Sequence, residues 1–429
     1  MIRTAPFTFQ PFSHKQRQML NWWCDNSPVK DKNGIIADGA IRSGKTVCLS
    51  LSFVLWAMTH FNRQNFGMCG KTIRSFGRNV LSPLTRMLAA RKIKYEYRRG
   101  DNMLTIHFQG RVNTFYIFGG KDEASQDLVQ GITLAGVFFD EVALMPRSFV
   151  NQATARCSVD GSKYWFNCNP EGPNHWFKQE WIDKREEKQL IYLHVTLDDN
   201  LSLSEAIKDR YRHQYTGVFY DRYIRGLWVL AEGIIYDMFD KAKHVKSIKE
   251  IAPNLTDVNW ISCDYGTQNA TVFLMWNKGA DRKYYCIREY YYSGRNEKKQ
   301  KTDAEYAEDM LDFIGETKVR AVVVDPSAAS FIAALKRRDI PVIKAKNDVL
   351  NGIRETGVML NNGKLIFADT CKNTFDEFGM YIWDEKAAER GEDAPVKAND
   401  HAMDAMRYFV HTIIAKKAKI KDKAKEGLM

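Results

Sequence analysis

The stretch Gly39-Ala40-Ile41-Arg42-Ser43-Gly44-Lys45-Thr46 matches the pattern G-x-x-x-x-G-K-[S/T] at every position. Such a run works as a phosphate loop only when an apolar strand enters it and a helix leaves it. The glycines must let backbone N–H groups close on phosphate oxygens at a helix N-terminus. Both flanks are present: Gly34 to Gly39 is a short apolar strand ending in a glycine turn, and Thr46 to His60 reads as a buried helix. The expected ligand is ATP with Mg²⁺. Gly39, Arg42, Ser43, Gly44 and Lys45 cradle the phosphates, Lys45 reaching the β and γ oxygens, and Thr46 ligates the metal.

The rest of the first half supports a parallel sheet covered by helices on both faces. Asn65 to Cys69, Asn113 to Phe118, Ala135 to Phe139 and Tyr164 to Asn167 are strand-like runs alternating with helical sequence. The run Gly136-Val137-Phe138-Phe139 ends in Asp140 and Glu141. Downstream of a phosphate loop, Asp140 is suited to the Mg²⁺ water shell and Glu141 to polarising the attacking water. An acidic pair at an ordinary strand end is the plainer alternative. Tyr164 to Asn167 runs on into Asn169-Pro170, where an amide can sense the γ-phosphate or simply close a turn. Phosphoryl transfer needs a cation on the γ oxygens, and Arg42 and Arg156 are candidates. Gln16, upstream of the loop, is the candidate reader of adenine.

Around Gly226 to Asp240 the periodicity fails and Lys- and Pro-containing sequence follows. The expected division is therefore an ATPase domain over 1–230, a linker over 231–255 and a second domain over 256–429. The second half opens with three strand-like runs, Val258 to Asp264, Thr271 to Trp276 and Lys283 to Tyr291, joined by short polar turns as in an antiparallel meander. A helix from Asp303 to Ile314, a strand from Arg320 to Val324 and a closing helix from about Asp400 to Ala415 follow. That order of elements is the order of a ribonuclease H-like domain. It makes the first and fourth strands neighbours, so Asp264 and Asp325 stand side by side at one end of the sheet. Carboxylates gathered this way repel unless a hard cation neutralises them. With Asp404 on the last helix they form a candidate site for two Mg²⁺ or Mn²⁺ ions that activate water against a phosphodiester. His401, one turn before Asp404, is a proton carrier or positions the water. Asp400 reads as that helix's N-cap. Glu289 belongs to a polar strand edge as readily as to a metal centre.

Composition narrows the partners. Lys and Arg number 63 against 52 Asp and Glu, a net charge of +11, which suits a polyanion because Lys and Arg displace the counterions condensed on nucleic acid. Lys71, Arg74, Arg78, Arg86, Arg91, Lys92, Lys94, Arg98 and Arg99, interleaved with Tyr95 and Tyr97, can track a phosphate backbone, with a solvated helix face as the alternative. The Lys-rich tail KKAKIKDKAKEGLM reads as solvated. The apolar run Val47 to Met58 falls short of the ~20 residues of a membrane span. The first residues, MIRTAPFTFQ, lack the apolar core of a secretory signal. Eight cysteines without a C-x-x-C pair argue for reduced thiols in a cytosol.

GAIRSGKT at 39–46, VFFDE at 137–141, NPEGPNHWF at 169–177, CDYG at 263–266, VDPS at 324–327 and DHAMDAMRY at 400–408 occur in one order along nearly the whole chain. In this the chain resembles the terminase large subunits of tailed double-stranded-DNA phages, especially the branch of Gram-positive phages and prophages. The resemblance implies that Lys45, Thr46, Asp140 and Glu141 serve ATP hydrolysis. It implies that Asp264, Asp325 and Asp404 bind nuclease metals beside His401, that Asn169 couples hydrolysis to movement, and that Arg42 is the transition-state arginine. Implied partners are double-stranded concatemeric DNA, the small terminase subunit and the portal of the procapsid, with the chain working as a homo-oligomeric ring. Implied too is action in the bacterial host's cytoplasm, away from membranes and absent from the mature virion. The competing readings are a DNA translocase or helicase whose second domain binds but does not cut nucleic acid, and a non-enzymatic assembly factor with a vestigial nucleotide site.

Overall fold

Apolar runs that end in glycine or an acid become central strands, since both faces of such a strand are buried and its end is free to present chemistry. The computed structural model describes residues 7–266, 269–294, 297 and 299–415. The tail from residue 416 lies outside these. The chain divides into two units. One holds residues up to His213 with Val218–Leu230 and Glu389–Glu392; the other holds Gln214–Gly217, Ala231–Ala388 and the chain from Asp393.

In the first unit β1 (Gly34–Gly39), β2 (Asn65–Gly70), β3 (Lys94–Arg98), β4 (Met103–Phe108), β5 (Arg111–Gly119), β6 (Gly136–Asp140), β7 (Lys163–Asn167) and β8 (Leu190–Val195) form one sheet. Its order is β3-β4-β5-β2-β6-β7-β1-β8. From β5 to β8 neighbours run parallel, and only β3, β4 and β5 pair antiparallel. Before the sheet, α1 (His14–Asn21) is closed by a Ser13–Gln16 capping box. After β1, α2 (Lys45–His60) is buried along most of its length, as its near-continuous apolar sequence requires. Phe53 and Trp56 of this helix pack with Trp165 of β7 at ring separations of 5.2 and 4.7 Å. Full burial of each such side chain stabilises by about 2–3 kcal/mol.

The second unit holds β9 (Val245–Lys246), β10 (Asn259–Asp264), β11 (Ala270–Lys278), β12 (Tyr284–Ser293), β13 (Val319–Val324), β14 (Val342–Lys344) and β15 (Leu365–Ala368). The sheet order β14-β13-β10-β11-β12-β15-β9 contains the expected meander and places β13 parallel beside β10. The closing helix His401–Phe409 lies on this sheet, with Phe409 stacked on Trp276 of β11 at 4.6 Å. The two-part α/β reading is the observed fold.

One expectation needs correcting. Residues 231–255 do not run as a bare linker: they carry two short α-helices and a 3-10 turn, and β9 pairs parallel with β15 at the sheet edge. The two-residue strand is too short and polar to announce itself, and the apolar anchors before it (Tyr236, Phe239) lie in a run with no clean period. Of the two readings of the basic stretch, the alternative of a single helix face does not describe it. Arg74, Arg78 and Arg86 are helical, whereas Lys94 to Arg98 form the exposed outer strand of the sheet. Charge on an edge strand protects its unpaired backbone from pairing with other chains. Among the described residues no helix is long and apolar enough to cross a membrane.

Candidate nucleotide and nuclease sites

Parallel pairing brings the carboxyl ends of β1, β6 and β7 together, with Ala37 opposite Asn167 and Asp140 opposite Asn167. The phosphate loop springs from the end of β1. Gly39 has φ +121°, and a side chain there would strike the Val195 backbone; Gly44 has φ +90° and faces the amide of Gln16. Neither position tolerates an L side chain without strain.

Lys45 is buried, and its ammonium donates to the carbonyls of Gly39 (3.0 Å) and Ala40 (2.6 Å), to Ser43 Oγ (3.2 Å) and to Asn169 Oδ1 (3.2 Å). Burial lowers its pKa to about 8 against the pull of nearby acids. Thr46 Oγ1 donates to Asp140 Oδ1 at 2.9 Å. Asn167 Nδ2 donates to both, at 2.8 Å to Thr46 and 2.5 Å to Asp140. Burial, then Glu141, pushes the Asp140 carboxyl up to about 6, although Thr46, Asn167 and Lys45 oppose the shift. Glu141 sits in left-handed backbone (φ +59°), and burial raises its carboxyl too. Hydroxyl and carboxylate oxygens in contact beside a buried ammonium are a donor set that fits a hard divalent cation with a phosphate.

Asn167 belongs to no motif; only the parallel register with Asp140 identifies it. Asp38 is likewise silent in sequence. Wholly buried beneath the loop, it accepts from Tyr192 (2.9 Å), Trp228 Nε1 (2.7 Å) and His194 (3.1 Å). Its hydrogen bond raises the His194 pKa.

Gln16 touches the loop but not as expected. Its Nε2 donates to Ser43 O at 3.0 Å and its Oε1 accepts from Ser13 N at 3.0 Å, so both polar atoms brace the loop and the start of α1 instead of facing a base. Arg42 is exposed at the rim with φ +56°, its guanidinium 5.8 Å from the Tyr211 ring centre. Arg156 is not at this site. Its carbonyl accepts from Leu134, at the opposite end of β6 from Asp140, which is about 20 Å away along the strand.

In the second unit Cys263 of β10 pairs with Val324 of β13, so Asp264 and the residue after Val324, Asp325, leave neighbouring strand ends together. His401 Nδ1 lies 3.0 Å from Asp264 Oδ2. Burial, followed by Asp404 and Asp400, pushes the Asp264 carboxyl up to about 6 while His401 opposes. For His401, burial disfavours the charged ring, but the Asp264 bond together with the charges of Asp264, Glu377 and Asp400 outweighs it and the pKa is raised. Burial also raises Asp325, yet hydrogen bonds from Ser327 and Tyr408 leave it below the ordinary carboxylate range. Asp404 is held by Arg407, whose Nη2 stands 2.9 Å away, and by Lys397 at 3.5 Å.

Asp264, Asp325, Asp404 and His401 are therefore one neighbourhood. Among the described residues, however, no three His, Cys, Asp or Glu side chains stand as a ready metal cage. Like charges repel, and each carboxylate has turned to its own cation or donor. The chemistry of the set still fits hard cations: oxygen donors at adjacent strand ends, one of them with a carboxyl raised by burial and by other carboxylates.

Glu289 is not part of it. Its Oε1 accepts from Asn373 N and Nδ2, and its Oε2 from Thr374 N and Oγ1, so it caps the helix Lys372–Met380. Asp400 precedes the closing helix without a side-chain cap bond. The cap comes from Glu377, whose Oε2 accepts from Ala402 N (2.6 Å) and Met403 N (3.3 Å). Burial pushes the Glu377 carboxyl up to about 7.

Comparison with known proteins agrees with both halves. Residues 36–242 match the family model for the N-terminal part of the T4likevirus-type terminase large subunit. Residues 261–412 match that of the terminase RNaseH-like domain. The large terminase of a thermophilic bacteriophage is 60% identical, with a TM-score of 0.87 over 94% of this chain and 100% of that one. The same phage protein has been solved with ATP-gamma-S, where the TM-score is 0.83 at 59% identity, again over 94% of this chain and 100% of that one. The terminase large subunit of Escherichia phage T5 is 26% identical over 304 residues, 68% of each chain.

Proposed function

The chain belongs to the terminase large-subunit family of phage DNA-packaging motors, and from that premise we propose that its first unit hydrolyses ATP to drive double-stranded DNA into a procapsid and its second unit cuts concatemeric DNA. The observation that carries the cutting half, and favours it over a translocase that merely binds DNA, is the emergence of Asp264 and Asp325 from neighbouring strand ends with His401 bonded to Asp264. Bound divalent cations, Mg²⁺ with ATP and Mg²⁺ or Mn²⁺ with DNA, would neutralise phosphate charge and acidify water.

In the first unit Lys45 holds the β and γ oxygens, Thr46 and Asp140 hold the metal, and Glu141 takes the proton of the attacking water. A carboxyl raised by burial suits that base. Asn169, bonded to Lys45, senses the γ-phosphate through the lysine and relays its loss. Arg42 lies exposed on the loop, from where a guanidinium reaches the γ oxygens. In the second unit Asp264, Asp325 and Asp404 hold the metals, and His401 carries the proton of the incoming water. The exposed basic residues between Lys71 and Arg99 follow the backbone of the duplex. Partners on this reading are the small subunit and the portal, with copies of the chain forming a ring in the host cytoplasm.

Asp325→Ala should abolish Mn²⁺-dependent plasmid cleavage and leave ATP turnover near wild type. Glu141→Ala should bind ATP without turning it over. Cleavage surviving in Asp325→Ala would remove Asp325 from the site, and a wild-type chain that turns over ATP on DNA without cutting it would leave the translocase reading in possession.

A further inference from the structure

An acidic centre that cuts DNA must admit a polyanion. Asp404 and Asp400 both act electrostatically on Asp264, and Asp264, Asp325 and Asp404 all act on Tyr408. Each carboxylate near an incoming phosphate repels it, the more strongly where solvent is thin. The cations already present differ sharply in reach. The Arg407 side chain is 2% exposed, doubly bonded to Asp404 and donating to Asn347 O, so it is spent inside the fold. His401 is committed to Asp264. Lys397 stands just ahead of the closing helix, its Nζ 3.3 Å from Asp400 Oδ2 and 3.5 Å from Asp404 Oδ2, with its side chain 63% exposed.

We propose that Lys397 contacts the scissile phosphate, its ammonium moving from Asp400 and Asp404 to a non-bridging oxygen of the DNA at the rim of the carboxylate site. The inference rests on the nuclease reading above. A lysine ammonium is a point charge on a flexible stem, able to exchange partners by rotation. The carboxylates are buried but the ammonium itself stands in solvent, where water screens the pair and eases release. A charge-assisted bond to phosphate is the stronger interaction once the duplex excludes water. Asp400 then has a role that its missing cap bond leaves open: it parks the lysine at the edge of the site.

The test uses the full chain with Lys397→Gln and Lys397→Arg beside Asp325→Ala. Lys397→Gln should slow single-turnover Mn²⁺-dependent cleavage by roughly 10- to 100-fold, and Lys397→Arg should recover most of it. ATP turnover should not change. In chelator, duplex binding followed by anisotropy should lose about one unit of its salt dependence in Lys397→Gln. Mn²⁺ affinity by calorimetry without DNA should stay equal or tighten, because a competing cation has gone. Wild-type cleavage by Lys397→Gln while Asp325→Ala is dead would overturn the proposal and spare the nuclease reading. Loss of cleavage that tracks weaker Mn²⁺ binding would also overturn it, making Lys397 a support for the metal ligands. Cleavage surviving in Asp325→Ala would move the cutting centre away from these carboxylates and overturn both that site assignment and the proposal.

Discussion

The ammonium of Lys45 is wrapped by the carbonyls of Gly39 and Ala40 and the amide oxygen of Asn169, with its pKa brought down to about 8 by burial. A phosphate anion binds the protonated form preferentially, so proton and nucleotide are linked. Below about pH 8 the free protein already carries the charge. As pH rises through that value the charge must be restored on binding, and affinity should fall by up to about tenfold per pH unit. A fluorescent ATP analogue titrated from about pH 7 to 9.5 should show this decline. In Lys45→Arg, where the side chain stays charged, whatever affinity remains should be flat over the same range. A flat profile in the wild type would mean that Lys45 is fully charged throughout. Burial acts in the opposite sense on Asp140 and Asp264, raising both carboxyls to about 6, so one physical cause prepares a weakly held proton on the cation and reluctant charge on the acids.

Helix ends show where local sequence stops being informative. Glu289 satisfies the first free N–H groups of the helix Lys372–Met380, and Glu377 those of His401–Phe409. Removing such an acceptor costs about 1–2 kcal/mol. Glu289→Ala should therefore lower the unfolding free energy of the second unit by that amount, seen as a lower urea midpoint with an unchanged slope, while Glu289→Gln, which keeps one acceptor, should fall between. Wild-type stability in Glu289→Ala would return Glu289 to the candidate functional residues. The strands that carry chemistry were legible because each is an apolar run halted by glycine or an acid, as with Gly39, Asp140 and Asp264. The outer strands β3 and β9 were not, since edges are charged and short. Caps donated across the fold were not legible either. Asp400 has the right residue type and position, but φ −118° and ψ 6° are not the extended backbone from which an N-cap side chain reaches forward. The bracing of the loop by Gln16 and the bridging of Asp140 by Asn167 likewise depend on partners distant in sequence.

For the molecule as a whole, the informative cut lies at the start of the second unit. A boundary drawn from composition falls after residue 255, whereas the unit defined by its contacts resumes at Ala231. The difference has energetic weight. Tyr236 is 2% exposed and stacks on Tyr381 at 5.6 Å; Phe239 stacks on Phe378 at 3.8 Å; His244 is buried with Nε2 at Leu360 O. β9 supplies the last strand of the sheet, beside β15. Losing a buried aromatic costs about 3–5 kcal/mol, and the whole stability of a domain is only about 5–15 kcal/mol. A fragment of residues 231–429 should fold cooperatively and, on the proposed nuclease reading, cut plasmid with Mn²⁺. A fragment of residues 256–429 should melt at a markedly lower temperature or fail to fold, because the helix Lys372–Met380 and β15 would lose the side chains packed against them. Thermal melts of the two fragments decide it independently of any activity. Equal stability would make 231–255 a tether after all. If both fragments fold and neither cuts, the nuclease reading fails while the account of the fold stands.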